Sequence, residues 1–307
     1  MNIGSLLSAL PGSVAQGLIY GILALGVYIT FKVLDYADLT VDGSLATGGA
    51  VAAVAMVAGL SPWLALVLAV IAGMLTGAIT GFLHTTFGIP AVLSGILTQL
   101  ALYSINIRIL GNKSNVSVGV DKYPLLVSLR YVAKSILLGA VFVAVVIAFL
   151  YWLFGTEVGS AVRATGTNPN MSRAQGINTN RMKLLGLMIS NGLVGLAGAL
   201  YAQYQGNADV NMGRGAIVIG LASVIIGEVL GEAIFGKYFN FAVRLACVVA
   251  GAIIYYIVIA VVLWLGLSTQ DLKLFSALFV AVALAVPYLQ SRRRPKKKAA
   301  AKVGKGA

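Results

Sequence analysis

Apolar residues run along this chain in nine long stretches, at about 12–33, 43–59, 61–83, 91–110, 134–154, 184–204, 216–235, 240–265 and 274–290. Several reach the ~20 residues that cross a hydrocarbon core of ~30 Å. Polar and turn-forming residues punctuate them. Asp35 to Asp42 ends the first, Ser61-Pro62 divides the second from the third, and Gly88-Ile89-Pro90 divides the third from the fourth. The pattern predicts an all-α polytopic membrane protein of about nine transmembrane segments, within a range of eight to ten.

The second stretch is the odd one. It holds about 17 residues, is rich in Gly and Ala, and follows the phrase Tyr36-Ala-Asp-Leu-Thr-Val-Asp-Gly-Ser44. A similar phrase, Asn207-Ala-Asp-Val-Asn-Met-Gly-Arg-Gly215, again precedes a small-residue stretch. Five spans separate the two, an odd number, so a repeat built on them would be inverted in the membrane, an arrangement common in alternating-access transporters.

The longest polar island, 155–183, lies between two apolar stretches and carries its own helix signals. Asn168 suits an N-cap and Pro169 the first helical position, where a missing N–H costs nothing. Gly176 suits the left-handed residue that ends a helix. A capped helix of roughly seven residues is therefore expected at a membrane surface, with Arg163, Arg173, Arg181 and Lys183 around it.

Composition agrees with the pattern. Of 307 residues 59% are hydrophobic and 10% charged, which excludes a soluble globule. The 36 glycines suit close helix–helix approach in lipid. Cys247 falls inside a span as a small apolar residue and forms no intrachain disulfide, since the sequence has one cysteine. The first ten residues lack a basic region, so the run from Val14 reads as a span rather than a cleaved signal.

The net charge of +13 suggests nucleic acid, but its placement argues otherwise. Eight of the 22 Lys and Arg fall in 292–305, which leaves 14 against nine acids in the rest. Residues 1–290 read as the membrane domain and 291–307 as a disordered basic tail on the cytoplasmic side, where anionic lipid attracts it. With tail and island inside, alternation puts Lys237 and Arg244 inside, and the N-terminus and the 111–133 loop outside. That loop carries Lys113, Lys122 and Arg130, flanked by Arg108 and Lys134, against the usual positive-inside bias. A re-entrant second segment would flip the N-terminus.

Catalysis finds little support. A single His84, a single cysteine and nine scattered acids offer no metal cluster, no triad and no H-E-x-x-H. His84 reads as an interfacial residue. A phosphate loop of the G-x-x-x-x-G-K-[S/T] type is also missing from the sequence, so any ATP must be used by another chain.

The island and its surroundings resemble a known family. Arg163-Ala-Thr-Gly-Thr-Asn168 followed by Ala174-Gln-Gly-Ile-Asn178 resembles the cytoplasmic loop of ABC-importer permeases of the branched-chain amino acid and ribose type. Gly220-Leu-Ala-Ser-Val-Ile-Ile-Gly227 is similar to that family's next segment. Ala37-Asp-Leu-Thr-Val-Asp-Gly-Ser44, with Asp271-Leu-Lys-Leu274, is similar to the tryptophan/tyrosine-type subgroup. The resemblance covers about residues 14–290; Glu228 and Glu232 depart from the small residues of branched-chain members.

The resemblance implies a type II-like permease of an aromatic amino acid importer in a bacterial inner membrane, with no cofactor of its own. It implies a second permease copy, ATP-binding subunits that use ATP and Mg, and an extracellular or periplasmic binding protein. The residues expected to meet the ATPase are Arg163, Ala164, Gly166, Asn168, Pro169, Met171, Ala174, Gly176 and Ile177. The basic 111–133 loop would suit acidic knobs on the binding protein. Alternatives are another small solute, such as a branched-chain amino acid or sugar, and an ion-coupled secondary carrier. The docking loop weighs against the carrier. No ring-forming filter segment suggests a channel.

Intramembrane polar residues are expensive and default to functional readings. Asp38 and Asp42 lie four apart and would reach an amino acid's ammonium; alternatively Asp42 or Thr40 caps the helix starting at Gly43. Glu228 and Glu232, also four apart, line a path or pair with Arg244 or Lys237. Gln99, Asn106, Asn191 and Gln203 either line the path or bond between helices. Tyr20, Tyr103, Tyr201 and Tyr204 are candidates for an apolar sleeve or an interfacial belt.

Overall fold

The computed structural model describes residues 3–236 and 240–266, with isolated positions at 274, 278 and 281. The expected ninth stretch, the basic tail, Lys237 and the phrase beginning at Asp271 lie outside the described residues, apart from those isolated positions. The elements are α1 (Ile3–Tyr28), continued by a π-helical turn (Ile29–Val33), then α2 (Val41–Val57), α3 (Pro62–Phe87), α4 (Ala91–Ile109), β1 (Asn115–Ser117) and α5 (Val132–Gly155). They continue with α6 (Glu157–Thr167), α7 (Pro169–Ala174), α8 (Thr179–Gln205), β2 (Asn207–Asp209), α9 (Ala216–Phe235) and α10 (Phe241–Trp264). Seven described helices are long and apolar enough to cross a membrane, and α2 is a shorter apolar helix. The chain is thus a multi-pass membrane protein.

Two helices form the centre. The α1 and α8 spans are the most buried, whereas α4 and α5 are mostly exposed and turn their apolar surface outward. Burial in lipid does not drive helices together, so small residues and internal hydrogen bonds must. The α3–α8 seam shows the first device. A Cβ on Gly73 would land on the carbonyl of Asn191, and one on Gly77 on the carbonyl of Leu187. The four-residue spacing of the two glycines keeps both on one face of α3.

Relative direction follows from cross-helix bonds. Tyr204 Oη donates to Gly12 O at 3.1 Å, and Ser190 Oγ to Gly26 O at 2.8 Å, so α1 and α8 run antiparallel. The start of α1 therefore lies at the end of the bundle opposite the island. Hydroxyl pairs Thr40–Thr80 at 2.7 Å and Ser44–Thr76 at 2.6 Å set α2 antiparallel to α3.

Between α1 and α2 the chain folds back into the bundle. Leu34, Tyr36, Asp38 and Thr40 are all buried. Tyr36 N donates to Thr30 O at 2.9 Å, and Thr40 N to Asp38 Oδ1 at 2.9 Å, which satisfies backbone that water cannot reach. This explains the short second stretch: α2 starts inside the bundle, so its 17 residues, about 25 Å at 1.5 Å each, suffice to reach the opposite end.

The mostly helical architecture agrees with the all-α expectation, with one small addition that the sequence reading did not include. β1 and β2 form a two-stranded antiparallel sheet pairing Asn115 with Asp209 and Ser117 with Asn207. Strands of three residues are too short to leave a periodic signature. Together with Leu126 N→Gln203 Oε1 at 3.0 Å and Leu129 N→Tyr204 O at 3.1 Å, they fasten the basic 111–133 loop over the end of α8.

Replacing Gly77 by Leu should force α3 off α8 and cost about 1–3 kcal/mol of stability, the usual penalty of overpacking. The readout is thermal unfolding of the detergent-solubilised protein. A melting curve matching the unsubstituted protein would show that the two backbones do not meet there.

Candidate functional site

The island folds much as its cap residues demand. Thr156 Oγ1 accepts from Gly159 N at 3.3 Å and starts α6. Asn168 Oδ1 accepts from Met171 N at 3.1 Å and starts α7 with Pro169 in its first turn. Gly176 follows at φ +81°, the left-handed value that ends the helix. α7 spans six residues, and Asn178 Oδ1 caps α8 through Arg181 N at 3.1 Å. α7 is tied down from behind, with Ser172 buried and Arg173 Nε donating to Thr179 Oγ1 at 2.9 Å.

The expected docking residues divide into two groups. Asn168, Pro169, Met171, Ala174 and Gly176 face outward, with 53% of Met171 exposed, and Ile177 is half-buried. Arg163, Ala164 and Gly166 belong to α6, and two of them make contacts within the chain. A Cβ on Gly166 would fall on the carbonyl of Val33, so α6 crosses the end of α1 at backbone contact. Arg163 donates from Nη2 to Phe154 O, and its guanidinium lies 5.9 Å from the Phe154 ring and 5.6 Å from the Phe241 ring.

The intramembrane polar residues also separate. Asn191, fully buried on α8, donates from Nδ2 to Asp38 Oδ2 at 2.7 Å and to Leu187 O at 3.0 Å. Its Oδ1 accepts from Ser44 Oγ at 2.6 Å. Thr40, Thr80 and Thr98 continue the network, with Thr80 Oγ1 donating to Thr98 Oγ1 at 2.9 Å. Asp38 and Asn191 thus act as bonds between helices. His84 sits near the island end, 2.8 Å from Ile89 O through Nδ1 and 3.3 Å from Lys183 Nζ through Nε2.

Asp42 turns elsewhere, and this corrects the capping expectation. The N-cap of α2 is Thr40, which makes no side-chain cap bond. Asp42 instead caps a different helix: Oδ2 accepts from Gly215 N and Oδ1 from Ile217 N, each at 2.9 Å, at the start of α9. An anion at a helix N-terminus satisfies free N–H groups and complements the dipole. The 36–44 and 207–215 phrases therefore meet in space.

Glu228 has a partner that the sequence reading did not name. Its carboxylate pairs with Lys32 at 2.5 Å, on the π-helical turn, Glu232 is exposed, and Lys237 lies outside the described residues. Five spans lie between Lys32 and Glu228 in sequence, which no local spacing could reveal. The tyrosines scatter too. Tyr20 packs edge-on against Tyr201 at 5.2 Å and beside Tyr256 at 5.0 Å, and Tyr204 bonds to α1.

Three of the expected path residues do share a cavity. A space of about 310 Å³ opens between α2, α4 and the 210–214 turn, walled by Asp42, Gln99, Tyr103, Asn106 and Arg214. That volume is at the small end for small-molecule sites. Asn106 is 1% exposed and its Oδ1 has no hydrogen-bond partner among the described residues. Sequence reading missed Arg214, although it stands inside the repeated phrase as Gly213-Arg214-Gly215. Among the described residues no group of three or more His, Cys, Asp or Glu is arranged to hold a metal.

Residues 10–287 match the family described as branched-chain amino acid transport system / permease component. The tyrosine transport system permease protein of Clostridioides difficile is 39% identical over 279 residues, 91% of each chain. The nucleoside ABC transporter permease protein of Lactococcus lactis is 29% identical, over 79% of this chain and 77% of that one. Among solved structures, PsaBC from Streptococcus pneumoniae in complex with Fab matches with a TM-score of 0.54 at 15% identity, over 95% of this chain and all of that one. The last likeness concerns fold alone.

Removing the Asp42 carboxylate strands the amides of Gly215 and Ile217. Asp42→Ala should cost about 1–3 kcal/mol, and Asp42→Asn less, because one acceptor oxygen remains. Hydrogen exchange at the first turn of α9 reports it directly; protection there unchanged in Asp42→Ala would refute the cap.

Proposed function

The chain belongs to the branched-chain amino acid transport system permease family, and we propose that it is the membrane subunit of an ATP-driven importer of amino acids, aromatic ones in particular. The observation that carries the reading is α7: a short capped helix held out from the bundle on a fixed base, with Met171 exposed. A groove on a separate ATP-binding subunit, which uses the ATP and Mg, receives Asn168, Pro169, Met171, Ala174 and Gly176. The 39% relative named for tyrosine transport supports the aromatic choice. The relative named for nucleoside transport keeps another small solute as the second reading.

The contacts behind α7 supply a route for force. α7 joins α6 through the single junction residue Asn168, and α6 rests by Gly166 on the end of α1 at Val33 and Leu34. From there Lys32 reaches α9 through Glu228. Pressure on α7 therefore bears on α1 and α9 together, and α9 in turn is pinned to α2 by Asp42. Two such copies around a shared path, in a bacterial inner membrane with the island and C-terminus inside, would rock between inward and outward openings. The meeting of the two similar phrases supports an inverted-repeat plan for that motion. Lys113, Lys122 and Arg130 at the other end, all exposed, would face the extracellular or periplasmic binding protein, with Arg130 already paired to Asp121 at 2.9 Å.

The test reconstitutes the chain with its ATPase and binding protein in proteoliposomes. Deleting 168–176, or exchanging Arg173 for Glu, should bring tyrosine uptake and binding-protein-stimulated ATP hydrolysis down to the level of vesicles lacking the ATPase. Elution of the detergent-solubilised permease should stay unchanged. Coupled uptake that survives the deletion would end this reading of α7.

A further inference from the structure

The cavity between α2, α4 and the 210–214 turn holds polar groups that the fold leaves unused. Asn106 is buried to 99% of its surface, lines the cavity, and has no donor for Oδ1 among the described residues. Elsewhere in the bundle Asn191 and Ser44 are bonded, while Gln203 Nε2, away from the cavity, also has no partner among the described residues. Arg214, at the same cavity, is exposed and makes no side-chain hydrogen bond or ion pair among the described residues. Asp42, also lining it, spends one acceptor site per oxygen on α9, and a carboxylate has about four such sites.

The arrangement has a chemical sense. Asn106, Asp42 and Arg214 line a common space whose remaining wall includes Ile96, Leu100 and Tyr103. A guanidinium fork matches a carboxylate with two parallel hydrogen bonds. A buried carbonyl oxygen and a partly used carboxylate match an ammonium. A sugar or nucleoside brings no carboxylate and would leave Arg214 unpaired.

We propose that this cavity is the transit subsite for a zwitterionic α-amino acid, with Arg214 holding the carboxylate, Asn106 Oδ1 the ammonium, and the Tyr103 side the substrate side chain. The inference rests on the amino-acid reading above and adds to it a residue that decides specificity. Its backbone setting is firm, since a Cβ on neighbouring Gly213 would fall on the carbonyl of Asp42. Arg214 is thus carried at the cavity by the contact that fixes α9.

Saturation-transfer NMR on the full-length chain in lipid nanodiscs tests it, because weak transit binding is what that method detects. The probes are L-tyrosine, tyramine (which lacks the carboxylate), ribose and adenosine. The expected result is a tyrosine signal well above that of tyramine, lost in Arg214→Gln and in Asn106→Leu, and partly kept in Arg214→Lys. Equal signals from tyrosine and tyramine on the unsubstituted protein would overturn the proposal without any variant needing to fold. A tyrosine signal indifferent to Arg214→Gln and Asn106→Leu would also overturn it and leave the amino-acid reading intact. Signals from ribose or adenosine, with none from tyrosine, would remove the amino-acid reading itself and this inference with it.

Discussion

A polar group carried into hydrocarbon must find its partner inside the protein, and Asn191 is where this bundle meets that constraint. Its amide reaches Asp38 on the chain folded between α1 and α2, Ser44 on α2, and its own helix at Leu187. Without it the Asp38 carboxyl would be sealed from water with Thr40 alone as its partner among the described residues. The close passage of α3 over α8 depends on the same place, because the Asn191 carbonyl is what a side chain at Gly73 would strike. Packing and polar satisfaction are solved together there, so neither α2 nor α3 can shift alone.

The same economy links the two ends of the molecule. Asp38 and Asp42 stand four residues apart, yet they are committed in different directions, one to α8 and one to the start of α9. The segment between α1 and α2 is therefore held from both sides. Since α6 lies against Val33 and Leu34, just before this segment, a displacement of the island reaches a region whose hydrogen bonds run to both α8 and α9. That is a contiguous physical path built of contacts, the minimum a mechanical coupling needs.

What the sequence made legible follows from range. The α7 caps were readable because Asn168, Pro169 and Gly176 act within a turn of each other, and the local structure obeys them. The spans were readable because lipid imposes a length. The partner of Glu228 was not, since Lys32 and Glu228 are brought together only by the packing of α1 on α9. Asp42 misled for a related reason: its neighbours in sequence offered a plausible cap, while the amides it serves lie in another helix. The β1–β2 pair lay beneath any periodic signal, being set by the loop's docking on α8. Gln99, Asn106 and Asp42 were picked as polar residues in greasy surroundings, but only the fold shows that they share a cavity while Asn191 does not.

That separation has an energetic meaning. An unsatisfied buried acceptor costs about 1–3 kcal/mol, and this bundle avoids the cost at Asn191, Ser44, Thr76, Thr80 and Thr98 by bonding each to a neighbour. At Asn106 it does not. A fold that can place Asn191 so as to fill its acceptor and both donor directions has the means to do the same for Asn106, or to carry Leu there. Asn106 and Arg214 line the same cavity, where a passing solute would supply what the protein withholds. In a transporter that asymmetry is useful, because groups fully satisfied at rest would have no differential affinity with which to select cargo.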